Sequence, residues 1–254
     1  MAKTALITGA SSGLGAEYAR RLAARGTDLV LVARDETALS ALAGEIASEY
    51  GVEVEVLPAD LLAERQLDEV ARRLADPERP VDMLVNNAGF GLPLSFARND
   101  IDDEVRHLRL LVEVPMRLMH AALGPMLERG SGRIVNIASV AGFVPRSTYG
   151  ACKGWLISFS RWANGRYSGR GVTVTAVCPG FTHTNFHERM GLPPGQEGVA
   201  NWMWLDARTV VAESLRDVAR GRAVSVPSLR YKAIVGLTRL VPAALVARAA
   251  RRGR

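Results

Sequence analysis

The chain has 254 residues, of which 48% are hydrophobic and 23% charged, with a formal net charge of +6. That composition is that of an ordinary soluble globular protein and leaves room for one large α/β domain or two small ones. The positive residues are dispersed and thicken only toward the C-terminus, and the few aromatics are not interleaved with them, so the basic stripe of a nucleic-acid binder is missing. Cys152 and Cys178 lack metal-ligand spacing and are too few for a disulfide framework. No signal sequence opens the chain and no uninterrupted apolar run is long enough to span a bilayer, so a cytoplasmic protein is expected.

Strand-like and helix-like segments alternate from the start. Lys3–Thr8 reads as a buried strand and 13–25 as a helix. Between them lies Thr8-Gly-Ala-Ser-Ser-Gly-Leu-Gly15. Gly9 permits the tight turn, Gly13 lets backbone approach a pyrophosphate, and Gly15 allows close helix–sheet packing. The helix N-terminus then offers N–H groups to an anion. Gly9, Ser11, Ser12, Gly13, Leu14 and Gly15 are therefore candidate cofactor contacts. A glycine-rich turn alone can be purely structural; its place between a strand and a helix supports the cradle.

Thr27–Ala33 is a second strand, followed by Arg34 and Asp35. An arginine here suits a ribose 2′-phosphate and an acid suits a free 2′-hydroxyl. Arg34 comes first and Asp35 is well placed as the N-cap of a helix to about residue 50, which favours NADP(H). Against this, Asp35 lies about twenty residues past the glycines, the spacing of an NAD acid, so NAD(H) stays open. Next come a strand over 52–57, a helix over 62–74 and a strand over 81–86. A long helical stretch runs from about 100 to 128, with Pro115 expected to kink it or mark a break. A fifth strand covers 133–138, a helix 148–167 and a sixth strand 172–177. Residues 181–205 lack periodicity and read as an excursion. A helix over 206–220 and a short strand over 223–226 follow. Repeated βα units predict a single-domain, Rossmann-like, doubly wound parallel sheet of about seven strands with helices on both faces, spanning 1–254.

The chemistry centres on Ser139 to Lys153. Tyr149 and Lys153 are four residues apart and share a helix face. A phenol beside an ammonium is a candidate acid/base pair, the cation lowering the tyrosine pKa. Ser139, on the preceding loop, can face the same reacting oxygen.

With these pieces in place the chain resembles the short-chain dehydrogenase/reductase family over nearly its whole length. The matching elements are Thr8-Gly-x-x-x-Gly-x-Gly15, Asp60-Leu61, Asn86-Asn-Ala-Gly89, Ser139, Tyr149-x-x-x-Lys153, and Pro179-Gly180 followed by Thr182. The resemblance implies hydride transfer between a nicotinamide and a carbonyl or alcohol. It makes Tyr149 the proton donor in reduction and the base in oxidation. Lys153 lowers its pKa and holds the nicotinamide ribose, and Ser139 bonds the substrate oxygen. Asp60, with Leu61, would meet the adenine, and Asn87, Ala88 and Gly89 its ribose side. Pro179, Gly180 and Thr182 would brace the carboxamide, with Thr184 near the phosphates.

Two departures stand out. Many members carry an asparagine four residues before the position of Pro115, supporting a water in the proton relay; here that position is Leu111, which cannot hydrogen-bond. His107, one turn earlier, is the candidate substitute. The Ser139–Tyr149 interval, which contains Pro145, is also short, which should reshape one wall of the substrate pocket.

His183, His187 and Glu188 sit in an irregular segment without H-E-x-x-H order, so no metal is expected. Trp155, Phe159 and Trp162 form a stripe on the helix of Tyr149. A stripe is ordinarily core, but the resemblance implies a homodimer or homotetramer. Residues 181–205, with Phe181, Phe186, Met190, Leu192, Trp202, Met203, Trp204 and Leu205, suggest a lid over a small apolar carbonyl or alcohol substrate. The basic, amphipathic tail over 231–254 suits a docked terminal helix; peripheral membrane contact is the alternative. The expected function is an NADP(H)-dependent oxidoreductase. A catalytically weak NADP(H)-binding sensor is the alternative, resting on Leu111.

Overall fold

A computed structural model describes residues 3–93, 95–144, 146–184 and 199–240. Seven strands form one sheet in the order β3-β2-β1-β4-β5-β6-β7, and every pairing is parallel. The strands are β1 Lys3–Thr8, β2 Thr27–Ala33, β3 Val54–Pro58, β4 Met83–Asn86, β5 Gly132–Ile137, β6 Val172–Val177 and β7 Val224–Ser225. Strand order reverses between β1 and β4, which opens a crevice at the carboxyl ends of these two strands.

Alternating side chains commit each strand to two apolar layers. Ala5 and Ile7 of β1 and Leu29 and Leu31 of β2 face one layer. It is covered by α1 (Gly13–Ala23), α2 (Glu36–Tyr50) and α7 (Ala207–Ala219). Leu6, Val30 and Val32 face the other. That side is covered by α3 (Glu64–Ala75), α5 (Val114–Glu128) and α6 (Thr148–Tyr167). Each Leu, Ile or Val so enclosed contributes roughly 1.5–3 kcal/mol.

The helical stretch over 100–128 is not one kinked helix. It divides into α4 (Ile101–Leu108), a π-turn over Arg109–Glu113, and α5. Pro115 accounts for this: it has no N–H, and its ring crowds the carbonyl four residues back, that of Leu111, so the coil widens there. The break therefore falls a turn before the proline, with buried Leu111 at its centre. By length and composition Ile101–Glu128 is apolar enough to cross a membrane. Leu118, Met119, Ala122 and Met126 of its second half instead pack into the core.

Elsewhere the boundaries shift slightly. β3 begins at Val54 rather than residue 52, and β7 is two residues long. The excursion over 181–205 leaves and returns at one point. The Leu205 amide donates to the Phe181 carbonyl at 2.8 Å and the His183 amide to the Leu205 carbonyl at 3.0 Å. Phe186, His187, Glu188, Met190 and Leu192 lie outside the described residues, as does the tail from 241 on. The tail's first part is α8, Leu229–Leu240, with Tyr231 and Val235 buried.

Candidate active site

The turn after β1 is held open for a ligand by its neighbours. Gly9 and Gly13 have φ of 65° and 58°, a region only glycine enters without strain. Thr8 Oγ1 accepts from the Asn87 and Ala88 amides at 3.0 and 3.1 Å. Asn87 Nδ2 donates to the carbonyls of Thr8 and Gly9, both at 3.0 Å. The first turn and the end of β4 are thus stitched together across the crevice. A Cβ on Gly15 would fall 2.2 Å from the Gly9 carbonyl oxygen, and one on Gly9 would fall 2.9 Å from Ala88 Cα. A Cβ on Gly13 would stand 3.3 Å from Thr184 Cβ, so Thr184 does lie over the glycine turn. No acidic side chain sits in the first turn of α1, and the Ser12 side chain makes no capping bond there. With Ser11 and Leu14 completing the loop, a helix N-terminus in this setting suits a pyrophosphate.

At the end of β2, Asp35 Oδ1 accepts from the Ala38 amide at 3.0 Å and caps α2. Arg34 is exposed and borders a cavity of about 480 Å³, with Asp60, Arg65, Gln66 and Glu69 on the other side. Asp60 spends one carboxylate oxygen on the Leu62 amide at 3.0 Å. Leu61 is buried. These residues fit a dinucleotide cofactor: a glycine cradle at a helix N-terminus, and a polar cavity with an exposed guanidinium at the ribose end.

Ser139 caps a short 3₁₀ turn, Val140–Phe143, its hydroxyl accepting from the Ala141 amide at 3.1 Å. Ser147 caps α6, accepting from the Gly150 amide at 3.1 Å, which places Tyr149 in the helix's first turn. The Ser139 hydroxyl lies close enough to Tyr149 to favour its ionised form. Lys153, one turn on, is buried and donates to the Ile137 carbonyl at the end of β5 at 2.7 Å. Its Nζ lies 5.5 Å from the centroid of the Tyr149 ring. The three groups picked from spacing therefore do come together, at the carboxyl end of β5.

Their electrostatics differ from the sequence expectation. Burial pushes Tyr149 up to about 12, with the Ser139 hydroxyl pulling the other way. Burial also pushes Lys153 down to about 8. Tyr149 is half-buried, so part of its surface stays open. Desolvation is the largest influence on the phenol and favours its neutral form.

Gly89 is the floor beside Lys153. A Cβ there would meet Leu111 Cδ2 at 2.9 Å and Lys153 Nζ at 4.0 Å. His107 lies fully enclosed between the Phe90 ring, at 5.2 Å, and the Tyr149 ring, at 6.0 Å. On the far side, Pro179 follows β6, and its carbonyl accepts from the Val140 amide at 3.0 Å. Thr182 donates to the Gly180 carbonyl at 3.0 Å. The Tyr231 ring lies against Gly180, where a Cβ would come within 2.0 Å of it. Its hydroxyl accepts from the Phe181 amide and donates to the Met203 carbonyl. Phe181 and His183 pack on Trp204 at 5.7 and 4.7 Å.

Sequence reasoning missed Tyr231, whose only signal is an aromatic between Arg230 and Lys232. It also missed a buried amide ladder: Asn86 Nδ2 donates to Asn136 Oδ1, and Asn136 Nδ2 to Ser160 Oγ, both at 2.9 Å. Asn136 in a strand core was the available clue.

The sequence profile described as short chain dehydrogenase matches residues 3–192. A 3-oxoacyl-[acyl-carrier-protein] reductase of Synechocystis is 34% identical over 197 residues, 76% of this chain and 79% of that protein. Among solved structures, a short-chain dehydrogenase from Sphingobium yanoikuyae in complex with NADPH is 37% identical with a TM-score of 0.85, covering 93% of this chain and 94% of that one. A bulky-bulky ketone specific alcohol dehydrogenase from Comamonas testosteroni is 33% identical with a TM-score of 0.80, covering 94% and 95%.

Proposed function

The chain belongs to the short-chain dehydrogenase family, and we propose that it reduces the carbonyl of an apolar ketone with NADP(H), or runs the reverse oxidation. The observation that carries this reading is the gathering of Ser139, Tyr149 and Lys153 at the end of β5, beside the glycine cradle. A bound nicotinamide supplies the hydride in reduction and takes it in oxidation.

The protein's own groups handle the oxygen and the proton. Ser139 and Tyr149 offer two hydroxyls to one substrate oxygen. Tyr149, pushed up to about 12, keeps its proton until that oxygen gains negative charge, then gives it up. Lys153 carries a positive charge below about pH 8 and stabilises the phenolate that forms. In oxidation the same hydroxyl takes the proton back.

Four further observations support the details. Asp35 is committed to capping α2 while Arg34 stands exposed at the cavity, which favours a 2′-phosphate and hence NADP(H) over NAD(H). The NADPH complex of the Sphingobium relative supports the same choice. Aromatic rings at two places near the site, Phe90 on His107 and Phe181 on Trp204, supply apolar surface that suits the ketone class named for the Comamonas relative. Exposed Ile101, Val105 and Leu108 on α4, Met116 on α5 and Trp162 on α6 support self-association.

The test is NADPH and NADH oxidation against ketones graded by chain length, with Tyr149→Phe alongside. The variant should bind NADPH normally and lose most turnover. Undiminished turnover in Tyr149→Phe would refute the acid/base assignment. Tight NADPH binding without turnover on any carbonyl would favour the sensor reading instead.

A further inference from the structure

His107 takes no part in the scheme above, yet it is the most anomalous side chain near the site. It is completely enclosed, and among the described residues neither Nδ1 nor Nε2 meets a hydrogen-bond partner. The Phe90 backbone pulls on it only weakly, from beyond bonding geometry. An imidazole has one donor and one acceptor, and burying either unmet is destabilising. An apolar residue would fill the space between Phe90 and Tyr149 without that cost. We propose that His107 acts through Tyr149 as the group that returns a proton to it after turnover, with Glu104 behind His107 on the path to solvent. This rests on the oxidoreductase reading.

The setting supports the role. Lys153 is fixed to the Ile137 carbonyl, and the residue beside it, Leu111, offers no polar atom. His107 is one helical turn before Leu111, with its ring roughly parallel to that of Tyr149, 25° between the planes. Glu104, a turn earlier still, is buried, and its Oε1 accepts from Asn99 Nδ2 at 2.7 Å. The groups that face this pocket are Glu104 from α4 and Tyr149, Cys152 and Lys153 from α6. Burial and the Lys153 charge hold the imidazole below its ordinary pKa of 6.5, against the pull of Glu104. It is therefore neutral at neutral pH, and a neutral imidazole can accept a proton on one nitrogen while releasing one from the other.

The step balances as follows. In reduction, the Tyr149 O–H bond breaks and the substrate gains an O–H bond, leaving a phenolate. A ring N–H of His107 gives its proton to the phenolate through one bridging water. The other ring nitrogen takes a proton from solvent by way of Glu104. One proton enters per turnover and no electrons move.

The variants His107→Phe, which keeps the stacked ring, and His107→Gln, which restores a polar group, test this in the full chain. His107→Phe should keep wild-type NADPH affinity and KM, lose roughly tenfold in kcat, and show a larger solvent isotope effect. His107→Gln should recover part of the loss. Wild-type kcat, pH profile and isotope effect in His107→Phe overturn the proposal. If His107→Phe does not fold, ¹⁵N NMR of histidine-labelled wild-type protein decides. A His107 ring N–H exchanging rapidly with water despite full enclosure is expected, and a strongly protected one overturns the relay. Absence of any turnover by the wild-type chain sinks the oxidoreductase reading, and the relay with it. A protected N–H in a chain that does turn over sinks the relay alone.

Discussion

Lys153→Met should make the protein more stable while abolishing turnover. Lys153 is only 5% exposed. In the unfolded chain it titrates near 10.5, and in the fold burial brings it down to about 8. Below about pH 8 the folded protein therefore holds a buried charge that it would prefer to lose. At about 1.4 kcal/mol per pH unit, that penalty is about 3 kcal/mol. Methionine removes it with little change in volume. The variant also leaves the Ile137 carbonyl without its 2.7 Å donor, a loss of about 1–2 kcal/mol. The net gain near pH 7 is about 1–2 kcal/mol, or roughly 3–6 °C in Tm. The sign of the pH dependence follows from which state binds more protons. Between about pH 8 and 10.5 the unfolded chain keeps the Lys153 proton and the fold has released it, so wild-type stability rises with pH relative to the variant. The gap should close across that window. Tyr149 lies above its ordinary value in both proteins and cancels in the comparison. Urea unfolding followed by circular dichroism at about pH 7 and pH 10 measures the gap. A variant less stable than wild type at pH 7, or a gap independent of pH, would show that Lys153 is not desolvated in this way.

Other substitutions separate the roles of neighbouring residues. Arg34→Ala should raise the Kd for NADPH by about 10- to 100-fold and leave NADH unchanged, as expected for losing a charge-assisted contact of about 1.5–3 kcal/mol; titration of both cofactors checks it. Asp35→Ala should leave the cofactor preference alone and cost about 1 kcal/mol through loss of the α2 cap, read from thermal melts. Gly15→Ala drives a Cβ against the Gly9 backbone and should cost about 1–3 kcal/mol and abolish NADPH binding. Gly44→Ala, on the open face of α2 with nothing near its Cβ, should gain about 0.5–1 kcal/mol and bind NADPH normally.

The legible parts of this protein are those whose cause is local. β1 and β2 could be read because runs such as Asp28-Leu-Val-Leu-Val32 have no use except a strand covered on both faces. The glycine turn could be read because φ near +60° at Gly9 and Gly13 is a demand that few residues meet. Tyr149 and Lys153 could be paired because four residues are one helical turn. The rest depends on contacts between distant segments, which leave no period in the sequence. Nothing local says that Tyr231 covers Gly180, or that Asn136 reaches both Asn86 and Ser160. The balance of influences on Tyr149 was illegible for the same reason. Spacing places the cation beside the phenol, but the depth of the cleft, which decides the sign, is set by the whole fold. Pro115 was correctly read as a disturbance, and the π-turn shows that it acts on the carbonyl behind it.

The ring of Tyr231 against Gly180 also bears on the order in which the protein is made. The strand-end turn at Phe181 leaves the ribosome fifty residues ahead of the hydroxyl that ties it down. The hydrogen bonds that hold the glycine turn run only between residues 8 and 88 and can form during synthesis. The far wall of the crevice cannot close until α8 arrives. A nascent chain halted before Tyr231 should therefore have its phosphate cradle in place and lack the brace beside the reacting centre, so competence for chemistry would be among the last properties the growing chain acquires.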